Sequence, residues 1–300
     1  IEEDNLLCLS RMVCCECLSS LVYFVGFAVI AATVGRFVLG VCSGCCKKKK
    51  PEAREKNWKK DVVYLYQFHG TLLLPSLSPF CIKVEAFLRL HKIPFERRYI
   101  LAARGSNGKI PFVEVNGEQI ADSHLIIRRL AQHFKIENAN GYATAADAAV
   151  GHALGRLADN HLFFIFAKYK LTEGASTMVR VLGGHDLPGW LISILTSLPL
   201  AFLLRKRLRK FGVFTDDEYA ELLEEDLDVF KTQLGTKNFL FGDDNINEAD
   251  LALFGHFAAQ LYMGVNCRAL EMLRSEKYAT LRHHTERLRD QLFGAEFHDD

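Results

Sequence analysis

The sequence predicts an α/β domain followed by an all-α domain, with an apolar span in front of both that is long enough to cross a bilayer. Three observations predict it: a strand, helix, strand, hairpin, helix order between residues 61 and 134, two helix-capping boxes in the second half, and an uncharged stretch over residues 18–35. The chain accordingly divides into an N-terminal cysteine-containing segment (1–17), a transmembrane helix (18–41), a cysteine- and lysine-rich juxtamembrane linker (42–60), an α/β domain (61–136) and a helical domain (141–300).

Val62-Val63-Tyr64-Leu65-Tyr66-Gln67-Phe68 is rich in β-branched and aromatic residues and short enough for a buried strand. A loop with Gly70, Pro75 and two serines follows. Ser78 then precedes Pro79, which suits an N-cap followed by a proline at the first helical position, where the missing N–H costs nothing. That helix should run to about His91, with Cys81, Val84, Phe87 and Leu88 facing inward. A second strand over residues 95–100 would pair in parallel with the first across the helical crossover. Phe112-Val113-Glu114-Val115, Asn116-Gly117, Glu118-Gln119-Ile120 is a hairpin signal, because a two-residue type I′ turn needs positive φ at both positions. A β-α-β-β-β-α order of this kind is thioredoxin-like.

The run Pro75-Ser76-Leu77-Ser78-Pro79-Phe80-Cys81-Ile82-Lys83-Val84-Glu85, together with Lys109-Ile110-Pro111-Phe112 and Asp122-Ser123, resembles the glutathione S-transferase superfamily. Within it the chain resembles the metaxin-like branch that includes the failed axon connections and cadmium-inducible lysosomal proteins. The resemblance covers roughly residues 60–290 and implies a thioredoxin-like domain plus an all-α partner domain. It also implies a cis peptide before Pro111 that turns backbone toward glutathione, and a pair, Asp122 and Ser123, that holds the γ-glutamyl group. A carboxylate for the ammonium, with a hydroxyl and helix N–H groups for the carboxylate, fits the charges of that group. The competing reading of Asp122 or Ser123 is a plain helix cap.

The second half carries its own signals. Thr215-Asp216-Asp217-Glu218 is a capping box, followed at helical spacing by Tyr219, Leu222, Leu223, Leu227, Phe230 and Leu234, with Gly235 as the stop. Asn247-Glu248-Ala249-Asp250 is a second capping signal and resembles the N-capping element of the glutathione transferase helical domain, a structural role.

Ahead of the globular part, a helix over residues 18–41 crosses a bilayer if Arg36 snorkels to the interface. Acidic Glu2, Glu3, Asp4 and Glu16 against Arg11 have the wrong sign for a signal peptide. Lys47-Lys48-Lys49-Lys50 behind the span places the globular domain in the cytosol of a single-pass protein, bound to membrane lipid through residues 18–41. Seven of the nine cysteines flank that span, which suits palmitoylation; Cys42-Ser43-Gly44-Cys45 also has thiolate-metal spacing, but a bilayer of about 30 Å would separate the two clusters.

With 37 basic and 36 acidic residues the chain offers no electrostatic case for nucleic acid. The apolar residues 190–204, interrupted by Pro199, read as a buried helix hairpin; docking of the following basic block, residues 205–210, on anionic lipid is the functional alternative.

A glutathione transferase stabilises the thiolate of a thiol whose ordinary pKa is about 8.5. A helix N-terminus and a hydroxyl donor both lower it, and Ser78 sits where both can act; Ser76 and Tyr66 are weaker candidates. Ser78-Pro79-Phe80-Cys81 resembles a Cys-Pro-Phe-Cys redox motif that has lost its first cysteine, which argues against dithiol chemistry. Cys81 is read first as a small core residue. Two functions follow: a membrane-anchored glutathione transferase with Ser78 catalytic and Ile110, Pro111, Asp122 and Ser123 holding glutathione, or a non-catalytic metaxin-like adaptor presenting the same fold to a protein partner at the membrane, in membrane protein sorting or axon development; the resemblance also admits a homodimer. A role in detoxification or cadmium stress is implied by the resemblance alone.

Overall fold

The two central strands of the sheet are buried along their whole length, whereas the two outer ones are partly exposed. In the computed structural model, which describes residues 53–100, 105–181 and 212–298, β1 (Val63–Gln67), β2 (Phe95–Tyr99), β3 (Phe112–Val115) and β4 (Glu118–Ala121) make one sheet in the order β2-β1-β3-β4. β1 and β2 are parallel; β1 with β3 and β3 with β4 are antiparallel. The expected type I′ turn is present, with Asn116 at φ 49 and Gly117 at φ 79. The apolar span 18–41, the flanking cysteines and lysines, and residues 190–210 lie outside the described residues. Among the described residues no helix is long and apolar enough to cross a membrane.

The first helix, α1 (Pro79–Leu90), begins as expected, with one difference. Ser78 has the extended backbone of an N-cap, but its hydroxyl makes no capping bond. α1 buries every residue from Cys81 to Leu88 rather than one face, because it lies between the sheet and a long helix of the second half. Lys83 and Glu85 are therefore buried charges, and each is paired: Lys83 with Asp159 at 2.9 Å, Glu85 with Arg97 at 2.8 Å and Arg89 at 2.9 Å. α2 (Ser123–His133) completes the α/β half.

Residues 53–60, within the segment read as a juxtamembrane linker, lie across the outer face of the sheet. The Arg54 and Glu55 N–H groups donate to the buried Glu114 carboxylate at 2.9–3.0 Å, and Tyr66 Oη donates to it at 3.2 Å. Arg54 also covers the Phe112 ring, which stacks on Tyr66. This strap covers the small apolar cluster of Tyr64, Tyr66 and Phe112.

The helical half comprises α3 (Ala145–Leu157), a turn of π-helix (Ala158–Leu162), α4 (Phe163–Thr172), α5 (Ala175–Val179), α6 (Asp216–Leu234), α7 (Glu248–Leu261), α8 (Arg268–Arg274) and α9 (Ala279–Leu292). Both expected capping boxes are formed, and α6 stops at Gly235 with φ 56. Asp250 also accepts from Leu240 N at 2.9 Å and pairs with buried His284 at 2.8 Å, which fits its structural role. α7 packs on α1 so closely that a Cβ at Gly255 would lie 2.4 Å from the Pro79 carbonyl oxygen. Beside this contact Asp159 bridges Lys83 and His256, at 2.9 and 3.1 Å.

Two predictions follow from these buried groups. Glu114→Ala strands the strap donors and should cost about 3 kcal/mol in urea unfolding, with faster hydrogen exchange at the Arg54 and Glu55 amides. The second concerns acid. Burial pushes His256 below its ordinary value against the pull of Asp159. Burial would push Asp159 up, but His256 and Lys83 outweigh it and hold the carboxyl well below the usual range. Unfolding lets His256 take a proton below about pH 6.5 and Asp159 below about pH 4, so stability should fall in two stages on acidification. His256→Gln should remove the upper stage; a urea midpoint already flat between pH 7 and 5 in the unsubstituted chain would refute the assignment.

Candidate functional site

Sheet register brings four of the five sequence-predicted residues to one edge. Phe112 pairs with both Tyr66 and Ala121, so Pro111 and Asp122 each stand one step beyond the sheet at the C-terminal end of β1. Ile110 and Ser123 adjoin them, and the Ile110–Pro111 peptide is cis as expected. The loop over residues 68–77 returns the chain to the same end. Ser76 Oγ donates to the Phe68 carbonyl at 3.0 Å, Leu77 N to the His69 carbonyl at 3.1 Å, and Gln67 Nε2 to the Pro75 carbonyl at 3.4 Å. Ser78, the fifth residue, is delivered there at the N-terminus of α1.

Of the three hydroxyls considered as thiolate donors, two are already engaged. Tyr66 Oη is committed to Glu114, and its phenol is pushed far up by burial and by that carboxylate. Ser76 Oγ is spent on the Phe68 carbonyl. Ser78 remains, beside the Cys81 thiol. Cys81 is fully buried and its thiol is pushed up to about 12, chiefly by burial, so it keeps its proton at neutral pH. The Ser78 hydroxyl makes no hydrogen bond among the described residues, so its O–H is free to point at a ligand. Cys81 is thus a core residue, as the sequence reading preferred, and Ser78 keeps one donor at a helix N-terminus.

Asp122 combines a structural duty with a spare group. It occupies φ 85 and ψ 123, a region costly to a non-glycine residue, and its Oδ1 accepts from His124 N and Leu125 N, both at 3.2 Å. The capping reading of Asp122 is therefore correct for one oxygen. The other oxygen and the Ser123 hydroxyl make no hydrogen bond among the described residues, so a carboxylate oxygen and a hydroxyl at the start of a helix remain for a ligand.

Sequence reasoning missed the polar groups just behind this edge. His124 Nδ1 meets Glu248 at 2.8 Å, and Lys83, Asp159 and His256 form the buried cluster described above. The available signal was a charged residue, Lys83, inside the apolar run of α1. Its partner could not be read from the neighbouring residues.

Comparison with known proteins agrees with this architecture. Residues 79–173 match the glutathione S-transferase N-terminal domain and residues 223–288 match the glutathione S-transferase C-terminal domain. The chain is 32% identical over 258 residues to "Failed axon connections" of Drosophila melanogaster, covering 82% of this chain and 61% of that protein. It thus spans about three fifths of the length of that relative. Among solved structures it resembles the beta-etherase LigF of Sphingobium sp. strain SYK-6, with TM-score 0.54 and 15% identity over 76% of this chain and 94% of that one. It also resembles the glutathione transferase GSTFuA3 of Phanerochaete chrysosporium, with TM-score 0.54 and 15% identity over 81% and 100%. At such identities these structures speak to fold alone. With both halves matched in order, and with a cis-proline opening β3 at the end of a β2-β1-β3-β4 sheet, this chain belongs to the glutathione S-transferase superfamily.

Proposed function

We propose that the protein is a membrane-anchored glutathione S-transferase-like protein that binds glutathione at the sheet edge and stabilises its thiolate with Ser78. The observation that carries this reading is the set of groups left over at that edge: one Asp122 oxygen and the Ser123 hydroxyl, each with no hydrogen bond among the described residues. The unengaged Asp122 oxygen suits the γ-glutamyl ammonium, while the Ser123 hydroxyl at the positive end of α2 suits its carboxylate. Backbone beside cis-Pro111, with Ile110, suits the peptide portion. Ser78 and the N-terminus of α1 then face the sulfur, where a donated hydrogen bond and a positive helix end favour S⁻ over SH.

Residues 18–41 are proposed to anchor the chain in a bilayer, with the globular part on the cytosolic side. Lipophilic electrophiles delivered along that bilayer would be the natural substrates. A non-catalytic adaptor role is the second reading, as the relative's name concerns axon connections. One observation favours it: a tight turn closed by Thr71 and Leu74 holds Leu72 and Leu73 out in solvent at 86% and 64% exposure.

Calorimetric titration of glutathione into the full chain in detergent tests the main reading. Ser123→Ala should weaken binding about tenfold, equivalent to about 1.4 kcal/mol. Ser78→Ala should leave affinity nearly unchanged, cut turnover roughly 100-fold, and move the pH at which turnover rises upward, because less thiolate forms at a given pH. Absence of glutathione binding by folded protein would move the assignment to the adaptor.

A further inference from the structure

A polar cavity of about 120 Å³ lies between the two halves, walled by α1, α2, α3, the start of α7, Asn140 and Tyr142 of the loop before α3, and Asp159 of the π-helical turn. None of Ser78, Ile110, Pro111, Asp122 or Ser123 lines it. Ala148, Gly151 and Gly155 of α3 line it; the Tyr142 ring occupies the space over Gly151, and the space over Gly155 is open. A Cβ at Gly155 would meet nothing within 4 Å, so the space is real room for a side chain that the sequence does not supply.

Its lining is charged and only partly satisfied. Lys83 and Asp159, both buried, pair at 2.9 Å, which engages one of the three lysine N–H groups. Glu248 Oε1 meets His124 Nδ1 at 2.8 Å, which leaves Oε2 without a hydrogen bond among the described residues. Burial alone would push Glu248 up, but His124 and Lys83 hold it below its ordinary value, so it is ionised at neutral pH. Arg156 and His152 stand one turn apart on α3, exposed at the mouth. Arg156 has no acceptor among the described residues, and the contact of His152 is with the His124 ring, 5.6 Å away.

The donors and acceptors left over are of opposite sign and come from different helices. A simple inorganic anion would meet the carboxylates of Asp159 and Glu248 in the same space. A bare cation would meet Lys83 and Arg156, and no group of three metal-ligating side chains exists among the described residues. We propose that this cavity binds a small zwitterion of the amino-acid class, with its carboxylate on Lys83 and Arg156 and its ammonium on Glu248. Such a ligand joins α1 of the α/β half to α3 and α7 of the helical half, so its binding stabilises the packing of the two.

The test is thermal unfolding of the full chain in detergent with glycine, L-alanine and L-glutamate as probes, and acetate and methylammonium as probes carrying one charge each. The expected result is a saturable rise in Tm with at least one amino acid and none with the single-charge probes. Gly155→Leu, which fills the cavity and removes a glycine from a helix interior, should abolish the rise. Arg156→Ala, at an exposed position, should weaken it at least tenfold, whereas Ser123→Ala should leave it intact. No saturable response to any of the three amino acids, an equal response to acetate, or a response that survives Gly155→Leu would each overturn the proposal. Loss of glutathione binding in Gly155→Leu would also overturn it, by merging this cavity with the glutathione edge. Glutathione binding that fails while the amino-acid response persists would instead refute only the transferase reading.

Discussion

The arrangement depends on the burial of α1 from two sides at once. One side of the helix lies on the sheet, and the other lies against α7, where the absence of a side chain at Gly255 admits the Pro79 carbonyl. A helix enclosed this way has no solvent-facing stripe, so any charge on it must find a partner in protein. Lys83 finds Asp159, which also binds His256, and Glu85 finds Arg97, Arg89 and the amide of Gln67. The same enclosure holds the N-terminus of α1 at a fixed place beside the end of β1. The position of Ser78 is thus a consequence of interhelical packing.

At that end the chain has three independent ways of aligning polar groups. Sheet register aligns Pro111 with Asp122, loop hydrogen bonds return residues 75–78, and the unusual backbone of Asp122 points one carboxylate oxygen at the first amides of α2. None of these alone makes a binding site. Together they leave unspent donors and acceptors on rigid elements, which is the condition for recognising a small peptide without reorganisation. The strap has a different duty: it covers Tyr64, Tyr66 and Phe112, while Glu114, which accepts from its amides, also takes the Tyr66 hydroxyl.

Much of this was legible in the residues. The hairpin was readable because Asn116-Gly117 has few alternatives to a type I′ turn, and both capping boxes because their hydrogen bonds join residues three apart. Ser78 was legible as an N-cap position, but the absence of its capping bond was not. Asp122 was read as either a ligand group or a cap. The structure assigns the cap to one oxygen and leaves the other unengaged, a division that sequence pattern has no means to express.

The strap and the cavity were the least legible parts. Residues 53–60 read as part of the juxtamembrane linker, because nothing local announces that Glu114 will be buried and available to their amides. Gly151 and Gly155 carry no signal of a cavity in the sequence, and only the packing of α3 places them in its wall. The sequence by itself determined the order of strands and helices, their caps, the hairpin turn and the proline that opens β3, since these depend on residues a few positions apart. Only the tertiary structure decided which charges are buried, which oxygens are spent and where room remains, because those outcomes depend on partners as distant as the 76 positions between Lys83 and Asp159.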